Sequence, residues 1–459
     1  MNEKKIFDAI TNVQDELIDE ARVMKLKRKT NKWKKWTAIA AGVMILVIGG
    51  TFLGEDERFS GEALLNVIYP TAYAFGDTDA RMNISQNNPV DDSFLESIKK
   101  FSYTTAVEII NEKGENINYS PISLYYALAL AASGADGATA GEIFSLLGVS
   151  DRQLLSKQCG NLYRQIYKDN EIGKLKIANS IWMDNKIRGR KVLFKENFIQ
   201  NAVENFYASS HIVDFNSKDA GEAISKWISE NTNDTISPSM EVDKNQILSI
   251  INTIYFYDQW VTSFEKNKTR NDTFYLSDGN EVSCDFMNGC YSGGFSKGEG
   301  YTRASLPLKN AGEMLFVLPD EGVSPYELID SPEQMREIFE GESKYYGEII
   351  WQIPKFKFGS KLNLKDNLKA LGVSTAFLNT ADFSGITNHE LGISVIEQES
   401  SISIDENGVE ASAFTIISYE SAMEPKDKAN MILNRPFLYG ITDSNGILLF
   451  VGVCENPIG

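Results

Sequence analysis

The chain holds two histidines, His211 and His389, and four cysteines, Cys159, Cys284, Cys290 and Cys454. Two imidazoles leave no room for a multi-histidine metal site and little for a Ser–His–Asp triad, and the cysteine spacings fit no zinc pattern. Cys284 and Cys290 could pair in an oxidising exterior, although isolated buried thiols are the plainer expectation. No cofactor or metal is expected. Nor is nucleic acid, because the formal net charge is −18 and phosphate binding needs a basic face. The informative spacing lies instead in Ser403–Thr415, where residues alternate with the period of a strand. Val409, Ala411, Ala413, Thr415 and Ile417 are small or apolar, while Glu410, Ser412, Phe414 and Ile416 take the other face. No charge falls on the first face and no proline interrupts before Pro425. Gly408 offers backbone freedom at the start. An ordinary strand is the plain reading of such a run.

Such a segment needs a body around it and a place to work. Residues 1–36 carry ten Lys/Arg and six Asp/Glu, so the other 423 residues carry −22. The eighteen uncharged residues Thr37–Gly54 follow a run of eight basic residues and precede Glu55-Asp56-Glu57. That length is just enough to cross a bilayer with Trp36 at the interface. The basic flank predicts a single-pass signal anchor with residues 1–36 in the cytoplasm and the rest outside. The alternative is a secreted chain released by cleavage, but the first Ala-x-Ala after the apolar run, Ala72–Ala74, lies far beyond it. Ile6, Phe7, Ile10, Val13, Leu17 and Ala21 mark an amphipathic helix before the anchor. Residues 55–90 show no sustained period and read as a tether. A basic head with one anchor suggests a bacterial protein.

From about Asp91 to Gly459 the chain shows no repeat or low-complexity break. Ser120-Pro121 reads as an N-cap and first-turn pair, with Leu124, Leu128 and Ala132 on one helical stripe. Glu348–Ile353, Leu391–Ile396, Ser401–Ile404 and Ile447–Val453 read as strands. Helices crowd the first half and strands the second, so the fold class is α+β.

Eight strings in this region, taken in order, closely resemble the serpins. They are NYSPISL (118–124) with GADGAT (134–139), ANSIW (178–182), VDF (213–215), NTIYF through QW (252–260), IPKF (353–356), ADFSG (381–385), NRPF (434–437) and LFVGV with NP (449–457). The resemblance implies three β-sheets, A, B and C, eight or nine helices and an exposed reactive loop at about 406–430. It implies that Glu406, Gly408, Val409, Glu410, Ala411, Ser412, Ala413, Phe414 and Thr415 form the hinge of that loop. Phe414 departs from the small residue that the family prefers. Ser120, Ser123 and Asn252 match the family's shutter, where Gln398 replaces the usual histidine. Trp260 and Glu406 match the breach, where insertion begins. The family's seventeen-residue step from Glu406 places the attacked bond at Ala422–Met423, within an interval of Tyr419 to Pro425.

The function that follows is suicide-type inhibition of an extracellular serine protease by a monomeric domain. Ala422 as bait suits an elastase-like or subtilisin-like target, and Tyr419 a chymotrypsin-like one. The rival reading is a non-inhibitory carrier or chaperone-like surface protein on the same fold. Polyanion activation of the family's kind needs a basic helix face, and the acidic remainder of the chain offers no obvious one.

Overall fold

A computed structural model describes residues 61–111, 114–240, 242–310, 312–409 and 427–459. The amphipathic head 1–36, the apolar run 37–54, residues 410–417 of the alternating segment and the bait interval 419–425 lie outside the described residues.

Nine α-helices occur among the described residues, seven of them before residue 232. These are α1 (Thr78–Asn87), α2 (Asp92–Ile109), α3 (Pro121–Gly134), α4 (Gly137–Leu147), α5 (Arg152–Ile166), α6 (Glu196–Phe206), α7 (Lys218–Asn231), α8 (Pro332–Glu340) and α9 (Lys365–Ala370). The early strands are β1 (Ile117–Tyr119), β2 (Lys168–Asp169), β3 (Lys174–Asp184), β4 (Lys186–Ile187), β5 (Arg190–Lys191) and β6 (Ala208–Val213). The middle ones are β7 (Leu248–Gln259), β8 (Arg270–Tyr275), β9 (Glu281–Gly298), β10 (Tyr301–Pro307), β11 (Glu313–Pro319) and β12 (Tyr345–Pro354). The chain closes with β13 (Phe356–Asn363), β14 (Val395–Asp405), β15 (Gly408–Val409), β16 (Asp427–Ile432), β17 (Phe437–Thr442) and β18 (Leu448–Cys454).

Helix α3 forms the centre of the core. The Ser120 side chain caps it by accepting from Ser123 N–H, and Pro121 occupies the first turn. Its apolar residues are not confined to a stripe: every residue except Ser133 is buried. An all-round apolar helix must be covered on every side. Here β3 and β7 lie against one flank, β18 against another, and α4, α5 and α6 close the remainder.

The seven-stranded sheet runs β13-β14-β15-β7-β3-β2, with β6 also paired to β3. Strands β3 and β7 are antiparallel over ten residue pairs, and β14 lies parallel to β7. The sheets expected as B and C run together, because the eighteen-residue β9 pairs with β8 at one end, β10 at the other and β12 between. Gly289, Gly293 and Gly294 lie inside β9, where small residues let a strand bend without ending. A third, two-stranded sheet is the β4–β5 hairpin.

Other expectations change in detail. Strand pairing starts at Val395, not at Leu391, because Ile393 N–H is spent on Ala376 O. All four cysteines are free, and Cys290 is exposed while the others are buried. A Cys284–Cys290 bridge is excluded by geometry. Both lie on β9 six residues apart, roughly 20 Å along an extended strand, where a disulfide needs Cα atoms within about 7 Å.

The stretch read as a tether is, from Gly61 onward, part of the body. Ala63 bridges antiparallel to His211, and Leu64 N–H donates to Ser210 O at 2.8 Å, so the strap extends the edge strand β6. Tyr69 stacks on Tyr167 and Tyr207 and donates to Asn231 of α7 at 3.2 Å. Asp77 then caps α1, which lies along α5. No hydrophobic period marks this strap because it binds through single aromatic anchors rather than a face. His211 fastens it: Nδ1 contacts Gly61 O at 2.8 Å, Nε2 contacts Ser209 Oγ at 2.8 Å, and the ring stacks on Trp182. Burial, set against hydrogen bonds to Gly61 and Glu62, pulls the imidazole down to about 4.

Candidate functional site: the hinge and the cluster beneath it

Those of the residues singled out from the sequence that are described, Ser120, Ser123, Asn252, Trp260, Gln398, Glu406, Gly408 and Val409, lie along the seam between β7 and β14. In its lower part the two strands pair directly, Val395–Ser400 against Ser249–Ile254. At its upper end they are parted by β15, whose Gly408 and Val409 pair antiparallel with Gln259 and Asp258 on one side and with Asp405 and Ile404 on the other. Val409 is 1% exposed, so its side chain is already part of the core. Gly408 is required here for a reason other than a left-handed backbone. It is not among the positive-φ glycines, but a Cβ on it would lie 2.2 Å from Asp258 O. Close approach of two backbones fixes the residue type.

The turn that delivers β15 is bolted to the exit of β7. Asp405 Oδ1 accepts from Asn407 N–H at 2.7 Å and Gly408 N–H at 3.3 Å, an Asx turn. Trp260 N–H donates to Asn407 O and its Nε1–H to Asp405 O, both at 3.0 Å, and Phe264 N–H donates to Glu406 O at 2.8 Å. The buried Glu406 carboxylate takes Thr269 Oγ1 at 2.8 Å and Lys355 Nζ at 3.1 Å. Burial works to raise this carboxyl, but hydrogen bonds from its own N–H, Thr269 and Lys355 outweigh it and hold it below the usual range.

Under the paired part of the seam lies a buried polar cluster. Gln398 of β14 grips the backbone of Ser120 with both ends of its amide, accepting from Ser120 N–H at 2.8 Å and donating to Ser120 O at 2.9 Å. Asn252 of β7 accepts from Ser123 Oγ–H and from Gln398 Nε2–H, and donates to Asn179 Oδ1 at 2.6 Å. Ser120, Ser123, Asn252 and Gln398 thus tie the start of α3 to both strands that flank the seam. The neutral amide of Gln398 meets both demands of that backbone without a titrating group.

Sequence reasoning passed over several participants. Lys355 sits inside the recognised IPKF string, but nothing local signals that its amine faces Glu406. Asn179, although inside the ANSIW string, had no role, and Thr269 and Phe264 carried no signal. A second cluster, Asn118 with Ser400 and Tyr439, links β1, β14 and β17. Among the described residues no group of three His, Cys, Asp or Glu is placed to hold a metal.

The geometry at the hinge is thus a central strand pair parted at one end by the chain's own downstream segment. Residues 96–457 match the family Serpin (serine protease inhibitor), and the chain belongs to that family, one of protease inhibitors rather than enzymes. It is similar to Serpin-Z1C of Triticum aestivum, 29% identical over 364 residues, covering 75% of this chain and 90% of the relative. An uncharacterized serpin-like protein of Methanosarcina acetivorans is 30% identical over 386 residues, covering 79% and 88%. Among solved structures, the thermophilic serpin tengpin in its native state superposes with a TM-score of 0.73 at 26% identity, covering 86% of this chain and 99% of tengpin. Serpin48 of Tenebrio molitor superposes with a TM-score of 0.71 at 28% identity, covering 80% and 98%.

Proposed function

We propose that this serpin inhibits serine proteases by trapping the acyl-enzyme. The observation that carries the reading is β15: the start of the reactive segment already sits between β7 and β14, antiparallel to both. In this family a cleaved loop enters a β-sheet as an added strand and releases stored strain. The target's serine attacks the bait carbonyl, and the peptide bond breaks with the amine leaving. The protease remains as an ester on the upstream fragment. That fragment zips into the seam from Val409 downward, displacing the six direct pairs Val395–Ser400 to Ser249–Ile254. Carried along, the protease loses the preorganised oxyanion hole that deacylation needs, and hydrolysis stalls. Ala422–Met423 is the favoured bond and an elastase-like or subtilisin-like enzyme the favoured target. Residues 37–54 hold the inhibitor, of bacterial type, in a membrane with residues 1–36 cytoplasmic. Mixing the full chain with an elastase-like protease and running a denaturing gel tests the trap. A covalent band at the summed mass is expected, and quantitative cleavage with fully active protease would exclude it.

A further inference from the structure

The β4–β5 hairpin concentrates positive charge on an otherwise acidic body. Residues 185–195 hold Lys186, Arg188, Arg190, Lys191 and Lys195 and no acid, whereas the chain beyond residue 36 has a net charge of −22. All five are exposed. Lys186 lies directly opposite Lys191 in the ladder, an arrangement of like charges that opposes pairing. The tight turn places Arg188 at φ 50° beside Gly189 at φ 76°, although Asn or Asp suits that first position better than a long side chain. Within Lys186–Lys191 only Ile187 is buried, and Val192 and Phe194 anchor the returning chain. Among the described residues no ion pair uses Lys186, Arg188, Arg190 or Lys195. Lys244 adds a further cation in the crevice at the hairpin root, which Asp184 and Glu390 also line. Such a hairpin is built against its own stability in favour of a charged surface.

Its position says which surface it meets. The hairpin follows Asp184 at the end of β3 that pairs with Leu248 and Ser249, opposite the hinge end of the sheet. Gly61 sits against Trp182 and Val213 at that same end. In the sequence the apolar run stops at Gly54, and six extended residues reach only roughly 20 Å. Leu193, 61% exposed, stands among the cations, with the exposed Leu64 and Leu65 on the nearby strap. Cations mixed with exposed apolar side chains suit the interface of a bilayer.

We propose that this hairpin docks on anionic lipid headgroups, resting the end of the domain opposite the hinge on the membrane. The proposal rests on the anchor reading in so far as Thr37–Gly54 brings a bilayer within reach. Each cation removed weakens the contact about fivefold, and salt screens it. The test uses the full chain in lipid nanodiscs, with Leu193→Cys labelled by a fluorophore in a Cys290→Ser background and a nitroxide quencher on the headgroups. An alkaline wash of membranes carrying the chain checks the anchor separately: release overturns the anchor reading, whatever the hairpin does. For the hairpin, quenching is expected in discs containing phosphatidylglycerol and not in pure phosphatidylcholine. It should vanish at high salt and in Lys186→Gln/Arg188→Gln/Arg190→Gln, with the melting temperature not lowered. Equal quenching in both lipids, or quenching that survives salt and the triple substitution, overturns the proposal. So does a soluble sulfated polysaccharide that binds the hairpin when anionic discs do not.

Discussion

Gln398 does with one neutral amide what a ring would do with two nitrogens, and the consequence is measurable. Gln398→Ala leaves the Ser120 N–H buried without this partner, at a cost of about 1–3 kcal/mol, while Ser120 O keeps Leu124 N–H at 3.2 Å. A lower denaturant midpoint of the uncleaved protein is the expected result. Glu406 behaves differently because it is charged. Its carboxyl is held below the usual range, so its stabilisation is complete above the ordinary carboxylate pKa and fades as pH falls through the lowered value. Lys355→Met is therefore expected to destabilise the native hinge by about 1–3 kcal/mol at neutral pH. The difference from wild type should shrink in acid unfolding curves below the carboxylate range; a gap that does not change with pH would rule out the ion pair as its source. The types of Gln398 and Glu406 were legible in the sequence, and their positions pointed to the seam. The partners Lys355 and Asn179 were not assigned, because each lies many residues away and only the pairing register brings it near.

The strap 61–73 and β15 are the two elements whose stability is open to tuning. His211 is buried as a neutral ring at about 4, below the ordinary histidine value. A lowered value means that its contribution is complete above pH 6.5, declines on acidification and is lost by about pH 4. The span corresponds to roughly 3 kcal/mol. Protection factors of residues 61–69, taken relative to the intrinsic exchange rate at each pH, should accordingly fall between pH 6.5 and 4 while those of the β7 amides hold. If both segments loosen together, the strap is not an independent unit. No hydrophobic period announced this element, since an edge extension needs only backbone groups and a few rings, here Tyr69 and Tyr73. The β15 segment was legible as alternation. Its parting of β7 from β14 was not, because alternation says which face a side chain takes and nothing about which strands lie on either side.

At the scale of the molecule, the seam is a place for one more strand. Filling it along β7 would add about ten ladder hydrogen bonds and bury the small inward side chains Ala411, Ala413, Thr415 and Ile417, together roughly 10 kcal/mol. At ~2 °C per kcal/mol for a domain of this size, cleavage in the reactive loop should raise the melting temperature by ~20 °C. Calorimetry of intact and cleaved protein checks this, and equal melting temperatures would mean that the seam stays closed. The α+β class and the family strings were determined by residue type and order alone, since these are properties of short-range pattern and composition. What the tertiary structure decided was contact between distant segments. It placed Lys355 on Glu406, Gly408 against Asp258, the strap on β6, and four cations on the β4–β5 hairpin rather than on a helix face. Each depends on strand register and sheet order, and a one-residue change in register reverses which side chains meet. Composition leaves that choice open, and the packed core closes it.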